Sequence, residues 1–384
     1  MTATPATTGT SATTGTGRTP LDTQGILEST LGLPEQVAAA MAAGRGLDGL
    51  PDHDDVENVI VLGMGGSAVA GDILVNVAGP FLPVPVLTFR SYNVPAFVGE
   101  GSLVFAVSFS GDTEETVEAV TEAALAGARV VAITAGGELA RLAEAWEVPV
   151  VRIPPGIPQP RTGLGALSIP ALAVLEDIGL FPGATAWVDA AVEQLKTRRD
   201  QLLKPGNRAE TLARAIGRTM PVMHGGGGLG AVAAYRWKCS MNENAKVPAF
   251  WNTHPELCHN EVSGWGQHGD ITRQMITLVG LRHDFEHPQV MHRFEVTYRL
   301  LDEVVAGIEE VTAEGEGELA QLLDLILVGD VTSIQLALQE GVDPGPIPAQ
   351  DQIKRALATS AGERDDNSAD ASNPEELPEG TTLG

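Results

Sequence analysis

Cysteine, aromatic residues and positive charge are all scarce in this chain. Its 384 residues include 2 cysteines, Cys239 and Cys258, too few for a disulfide framework or a four-cysteine zinc site. Aromatics make up only 4%. Lys and Arg number 24 against 50 Asp and Glu, a formal net charge of −26. That balance argues against a nucleic-acid partner, whose phosphates need a basic patch, and against docking on anionic lipid. No uninterrupted apolar run reaches the roughly 18–20 residues of a membrane span. The opening residues 1–20, nine of them Thr, hold no apolar block of a secretory leader. Together these absences point to a cytoplasmic protein that engages neither membrane nor nucleic acid. An acidic chain can still bind an anionic metabolite if the site builds a local positive field from backbone N–H groups, Arg and Lys.

The apolar content of 43% is ample for real cores. The Thr/Ala/Gly-rich head, 1–20, cannot bury enough surface to order itself, and the acidic tail, 361–384, has no apolar periodicity; both are expected to be disordered. Between them one plan recurs. Val59–Leu62 is a short apolar run ending in Gly63, with a helical stretch from Ser67 to Asn76; Val84–Leu87, Leu103–Val107 and Val130–Ile133 read as further strands, with a Glu-rich helix from Thr113 to Ala126. Buried runs alternating with helices and Gly/Ser turns predict a parallel sheet covered on both faces, over 50–155. Helical spacing follows through 156–215, over Leu167–Leu180 and Trp187–Leu203. The strand–glycine–helix pattern restarts at Pro221–His224, with Ala231–Ser240 as helix, Ile276–Leu281 as strand, a strand–helix mixture over Arg293–Ile308, and one or two helices over Leu319–Gly341. The expected architecture is α/β: two tandem doubly wound lobes, 50–155 and 216–345, joined by a helical connection and followed by a C-terminal helix over 346–360.

Two loops could hold an anion. Gly63-Met64-Gly65-Gly66-Ser67 joins a strand to a helix, where glycines permit a tight turn and N–H groups attract negative charge. It lacks the third glycine in register and the later acidic residue of a dinucleotide fingerprint, and an ordinary tight turn is the plain alternative. Ser108-Phe109-Ser110-Gly111-Asp112-Thr113-Glu114-Glu115 presents hydroxyls at 108, 110 and 113 around a glycine at a helix start. Helix capping accounts for one hydroxyl; three suit the oxygens of a phosphate monoester.

Two such loops after adjacent strands resemble the sugar isomerase (SIS) domain. That resemblance implies a sugar-phosphate ligand held by Gly65, Gly66, Ser67, Ser108, Ser110 and Thr113. Asp112 departs from the Asn common in relatives, and its carboxylate would weaken a phosphate site unless it turned aside to cap the helix. More specific are Tyr235-Arg236-Trp237-Lys238, Asn242-Glu243-Asn244-Ala245-Lys246 and Pro255-Glu256-Leu257-Cys258-His259-Asn260-Glu261. With the double lobe they resemble the bifunctional phosphoglucose/phosphomannose isomerase family over about 55–357.

Aldose–ketose isomerisation needs a base to move one proton between C1 and C2, a cation for the enediolate, and an acid to open the ring. On its residues alone, Glu243 reads equally as a solvated helix-end charge or a tuned base; the resemblance implies the base. It implies that His259, supplied by the neighbouring subunit of a homodimer, passes a proton to the ring oxygen. Arg161, on a proline-stiffened loop, is by sequence a surface charge near a linker and by resemblance the enediolate-stabilising cation. Lys354, by spacing an exposed helix Lys, corresponds to the family's C-terminal Lys that assists ring opening. Gly345 stands in a loop where many relatives carry Thr, which bears on the acceptance of mannose 6-phosphate.

Histidines also raise a metal site, at His283, Glu286, His287 and His292, or at His254, Cys258, His259 and His268. Pro288 would stop the helix needed to put 283 and 287 on one face, and no four ligands are fixed by spacing. Neither metal nor cofactor is expected. The expected activity is interconversion of glucose 6-phosphate, and of mannose 6-phosphate, with fructose 6-phosphate. A non-catalytic sugar-phosphate sensor on the same double lobe is the alternative. It would need the phosphate loops but not Glu243, His259, Arg161 and Lys354 together.

Overall fold

The computed structural model describes residues 21–367, with side chains to 357; the expected disorder of 1–20 and 368–384 lies outside them. Two helices, α1 (Ile26–Leu31) and α2 (Leu33–Ala43), precede the first lobe, in a stretch for which the sequence pattern predicted no element. The lobe runs β1 (Asn58–Leu62), α3 (Gly65–Val77), β2 (Val86–Phe89), β3 (Ser102–Ser108), α4 (Glu114–Leu125), β4 (Arg129–Thr134), α5 (Gly137–Ala145) and β5 (Val150–Arg152). Its five strands are parallel, in the order β2-β1-β3-β4-β5. Every residue of β1 and β3 is buried, as expected for central strands with a helix layer on each face. β5 was missed because it is a three-residue edge strand.

Helices α6 (Leu164–Asp177), α7 (Ala184–Leu202) and α8 (Arg208–Ile216) form the connection. The second lobe runs β6 (Met220–Gly226), α9 (Gly227–Ser240), β7 (Phe250–His254), α10 (Gly269–Met275), β8 (Ile276–Arg282), α11 (Pro288–Leu301), β9 (Gly307–Thr312) and α12 (Glu318–Gln339). Its parallel sheet is ordered β7-β6-β8-β9. The mixed stretch from Arg293 resolves into α11 followed by β9, and 319–341 holds one helix rather than two. Pro288 opens α11 instead of ending a helix, at the one place where its missing N–H costs nothing.

One core cluster joins α2, α3, α6, α7, α9 and α12 with the facing sides of both sheets. Separate clusters pack α4 and α5 on the outer face of the first sheet and α11 on that of the second. α12 is long and apolar enough to cross a membrane, but 94% of its most apolar window is buried in the protein. The chain to Gly345 forms one compact unit, and the residues from Pro346 form another. The latter contains α13 (Pro348–Asn367), which continues past the expected helix end at 360 into residues read as disordered tail.

Candidate active site

In the first sheet, the chain leaves β1 toward β2 on one side and β3 toward β4 on the other. The carboxyl ends of β1 and β3 therefore flank a crevice, the usual ligand position in open α/β sheets. Both predicted anion loops lie there. Gly63 and Met64 link β1 to α3, whose first turn holds Gly65, Gly66 and the buried Ser67. Ser108, also buried, ends β3.

Ser108 Oγ lies 3.0 Å from Thr113 Oγ1 and accepts from Gly111 N at 3.1 Å, while Ser110 Oγ accepts from Asp112 N at 3.2 Å. Gly111 is required: its φ is +82°, and a Cβ would fall 1.8 Å from Gly136 O. Thr113 occupies the N-cap of α4 without making a capping bond. Its hydroxyl turns to Ser108, which corrects the capping account of this motif. Asp112 does cap a helix, though not its own: its Oδ1 accepts from Glu138 N at 2.8 Å, in the first turn of α5. The negative charge is thereby turned onto a helix N-terminus, where it is favourable.

The second part of the site is built across the lobes. Arg161 is only 4% exposed, so its reading as a surface charge is overturned. Its Nε donates to Asn244 Oδ1 at 2.7 Å, and its Nη2 donates to the Pro344 and Gly345 carbonyls, both at 2.7 Å. Glu243 Oε2 sits 3.9 Å from Arg161 Nε, with its side chain 26% exposed. Glu243 and Asn244 belong to a π-turn, Met241–Ala245, that extends α9, a distortion common at functional sites. The first anion loop abuts the two arginines, because a Cβ on Gly66 would lie 4.0 Å from both Arg161 Cα and Arg236 Nη1.

A buried polar network fixes the arrangement from below. Arg236 pairs with Asp330 of α12 through Nε at 3.0 Å and Nη2 at 2.8 Å, and its Nη2 also donates to Arg161 O at 2.6 Å. Ser240 donates to Asp330. Asn244 Nδ2 donates to Ser333 Oγ at 2.9 Å. Burial disfavours the charge of Arg236, but Asp330 outweighs it and holds the guanidinium above its usual pKa. Burial pushes Arg161 down, opposed by Glu243 and reinforced by Arg236; a guanidinium stays charged regardless. Burial and nearby Arg161 likewise lower Lys246, whose Nζ donates to Pro344 O at 3.3 Å. Asp330 was not singled out in the sequence, yet a carboxylate inside an apolar 22-residue helix is itself a signal, since buried charges are kept only when paired.

The other two predicted catalytic residues are both exposed. His259 ends a short helical turn, Glu256–His259, and is exposed. Lys354 is exposed on α13, in the C-terminal unit. In the first histidine group the three imidazoles have separate partners, and Glu286 accepts from the His283 backbone N. His283 Nε2 bonds Gly226 O at 2.7 Å, His287 caps α11, and His292 pairs with Glu295. In the second group His254 Nδ1 contacts Cys258 Sγ at 3.4 Å. Among the described residues, the group whose three ligand atoms lie within 4.8 Å of one another is Asp52, His53 and Asp54, all exposed.

Comparison with known proteins agrees with this layout. Residues 55–154 match the SIS domain, and residues 206–357 match the bacterial phospho-glucose isomerase C-terminal SIS domain. The bifunctional phosphoglucose/phosphomannose isomerase of Caldicellulosiruptor bescii is 34% identical over 337 residues, covering 87% of this chain and 99% of the relative. The protein of the same description from Thermoplasma acidophilum is 32% identical, over 78% of this chain and 90% of the relative. Among solved structures, tagatose-6-phosphate ketose/aldose isomerase from Escherichia coli superposes with a TM-score of 0.63 over 84% of this chain and 95% of that one. Its 15% identity speaks to fold alone. With both lobes matched and close to the full length of its relatives covered, the chain belongs to the bifunctional phosphoglucose/phosphomannose isomerase family.

Proposed function

We propose that the protein is an aldose–ketose isomerase interconverting glucose 6-phosphate and mannose 6-phosphate with fructose 6-phosphate. The observation that carries this reading is the buried Arg161 guanidinium beside the partly exposed Glu243 carboxylate, in a site that also holds the hydroxyl and N–H loops. The phosphate sits on the N-terminal turns of α3 and α4, held by the backbone of Gly65 and Gly66 and by Ser67, Ser108, Ser110 and Thr113. Dipole and free N–H groups there supply the positive field that the chain's net charge does not.

Once the ring is open, Glu243 takes the proton from C2 of the aldose. The C2–H electron pair forms the C1–C2 double bond and the C1–O1 π pair passes to O1, giving a cis-enediolate whose charge lies beside Arg161. Return of the proton to C1, with transfer of the O2 proton to O1, leaves the ketose. C1 is reduced as C2 is oxidised, so no co-reactant is consumed. Glucose and mannose 6-phosphates differ only at C2 and share this enediol, which lets one base serve both.

Ring opening calls for a proton on the ring oxygen. We assign it to His259 of a partner subunit, with Lys354 assisting; the motif supports both roles, and the exposure of His259 supports the first. Phe250 and Trp251, exposed on edge strand β7 just before this segment, suit a buried position in a homodimer. The test is to incubate purified protein with fructose 6-phosphate and a chelator, and to assay both aldose phosphates. Formation of both supports the reading, while saturable binding without product would leave a sugar-phosphate sensor.

A further inference from the structure

The loop that carries His259 meets the sheet where Cys258 contacts His254, and again at a point that the isomerase reading does not use. Glu261, two residues beyond His259, turns its carboxylate inward. His224 Nε2 lies 2.8 Å from Glu261 Oε1, and Asn252 Nδ2 donates to Glu261 Oε2 at 2.8 Å. The two donors face each other in the β6–β7 register, so one rung of the sheet converges on one carboxylate. A carboxylate only accepts, so Nε2 carries the imidazole proton. Among the described residues Nδ1 has no partner, in a residue with no exposed surface. Burial works against the charge on Glu261, yet His224, Asn252 and Trp265 together hold the carboxyl below its ordinary pKa.

Such an anchor is a poor device for stability alone, because desolvating a charge offsets most of what the bonds return. Its product is geometry. Asn260 Oδ1 accepts from Glu261 N at 2.6 Å, and Asn260 Nδ2 donates to Glu256 Oε1 at 2.9 Å. The Asn260 side chain thus links the Glu256 side chain, before His259, to the Glu261 backbone, after it. The His259 imidazole itself makes no hydrogen bond among the described residues, so its direction is set by the turn that bears it.

We propose that His224 is a positioning residue for His259: by binding Glu261 together with Asn252, it fixes segment 255–261 and hence the direction in which His259 is presented. This rests on the assignment of His259 to ring opening. Misplacing an acid by about 1 Å costs up to about a hundredfold in rate, so the effect falls on kcat and spares phosphate binding.

The test is a double-variant cycle on the full chain, measuring kcat and KM for fructose 6-phosphate. His224→Phe should lower kcat about tenfold to a hundredfold, with KM little changed. His224→Gln, whose amide can still donate to Glu261, should recover most of the loss. In a His259→Ala background, His224→Phe should have no further effect. An equal loss in both backgrounds, or no loss in the first, would overturn the proposal. A fully active His259→Ala would instead remove the role of His259 beneath it, a separate result. Should His224→Phe fail to fold, Glu261→Ala takes its place in the same cycle with the same outcomes.

Discussion

Arg161 and Glu243 lie 3.9 Å apart without sharing a hydrogen bond, because Asn244 takes the Arg161 Nε at 2.7 Å and backbone carbonyls take Nη2. The guanidinium is committed to structure, so its charge stays in place while the Glu243 lone pairs stay open to a proton. A direct Arg–carboxylate fork would have quenched the base.

The pair beneath them, Arg236 and Asp330, is the structural keystone. Asp330→Ala leaves a buried guanidinium without its counter-charge, and such losses run to about 3–5 kcal/mol. We expect urea unfolding of this variant to show that drop, accompanied by lost turnover as Arg161 O loses its fixed donor.

Phosphate recognition should separate from chemistry. Ser108→Ala and Thr113→Val each remove a hydroxyl from the crevice, and a bond to a charged group is worth about 1.5–3 kcal/mol. Steady-state kinetics should show KM raised about tenfold or more for each, with a smaller change in kcat.

Asp112 is expected to matter for stability only. Asp112→Ala removes the acceptor for Glu138 N, a loss of about 0.5–2 kcal/mol by the standard of helix caps. Asp112→Asn keeps a side-chain oxygen and should melt close to the wild type, with kcat unchanged in both.

Acid stability should carry the mark of His254. Burial pushes its pKa down from 6.5 to about 3, helped by neighbouring His224 and Arg282. Between those values the unfolded chain binds a proton that the folded chain refuses. Stability is therefore complete above the unfolded pKa and is lost as pH falls below it, at up to about 1.4 kcal/mol per pH unit. Glu261, whose ordinary value is 4.5 and whose folded value is lower, adds its loss only at more acid pH. Unfolding free energies measured between pH 6.5 and 4.5 should fall in the wild type and be flatter in His254→Gln.

The alternation of apolar runs with glycine turns made the central strands legible, because β1, β3, β6 and β8 are buried on both faces and admit little else. β5 escaped because it holds only three residues, and β7 because an edge strand need not be continuously apolar; Phe250 and Trp251 are exposed. The phosphate loops could be read for the same reason as the strands: glycine and hydroxyl spacing is local chemistry. What joins Arg161 to Asn244, or Arg236 to Asp330, is separated by 83 and 94 residues in sequence, so no window along the chain displays it. Asp112 shows the limit from the other side. Its neighbours suggested a cap on its own helix or a misplaced charge, and only the fold brings α5 to it.

The central claim is that Glu243 moves a proton between C2 and C1. Proton NMR of fructose 6-phosphate with the protein in D₂O, chelator present, tests it most directly, with Glu243→Gln alongside. General-base removal should slow exchange by about 10²–10⁴. The account predicts glucose 6-phosphate and mannose 6-phosphate carrying deuterium at C2 with the wild type, and neither with the variant. Equal deuterium incorporation by the variant, or aldose phosphate formed by the wild type with no solvent deuterium at all, would contradict it.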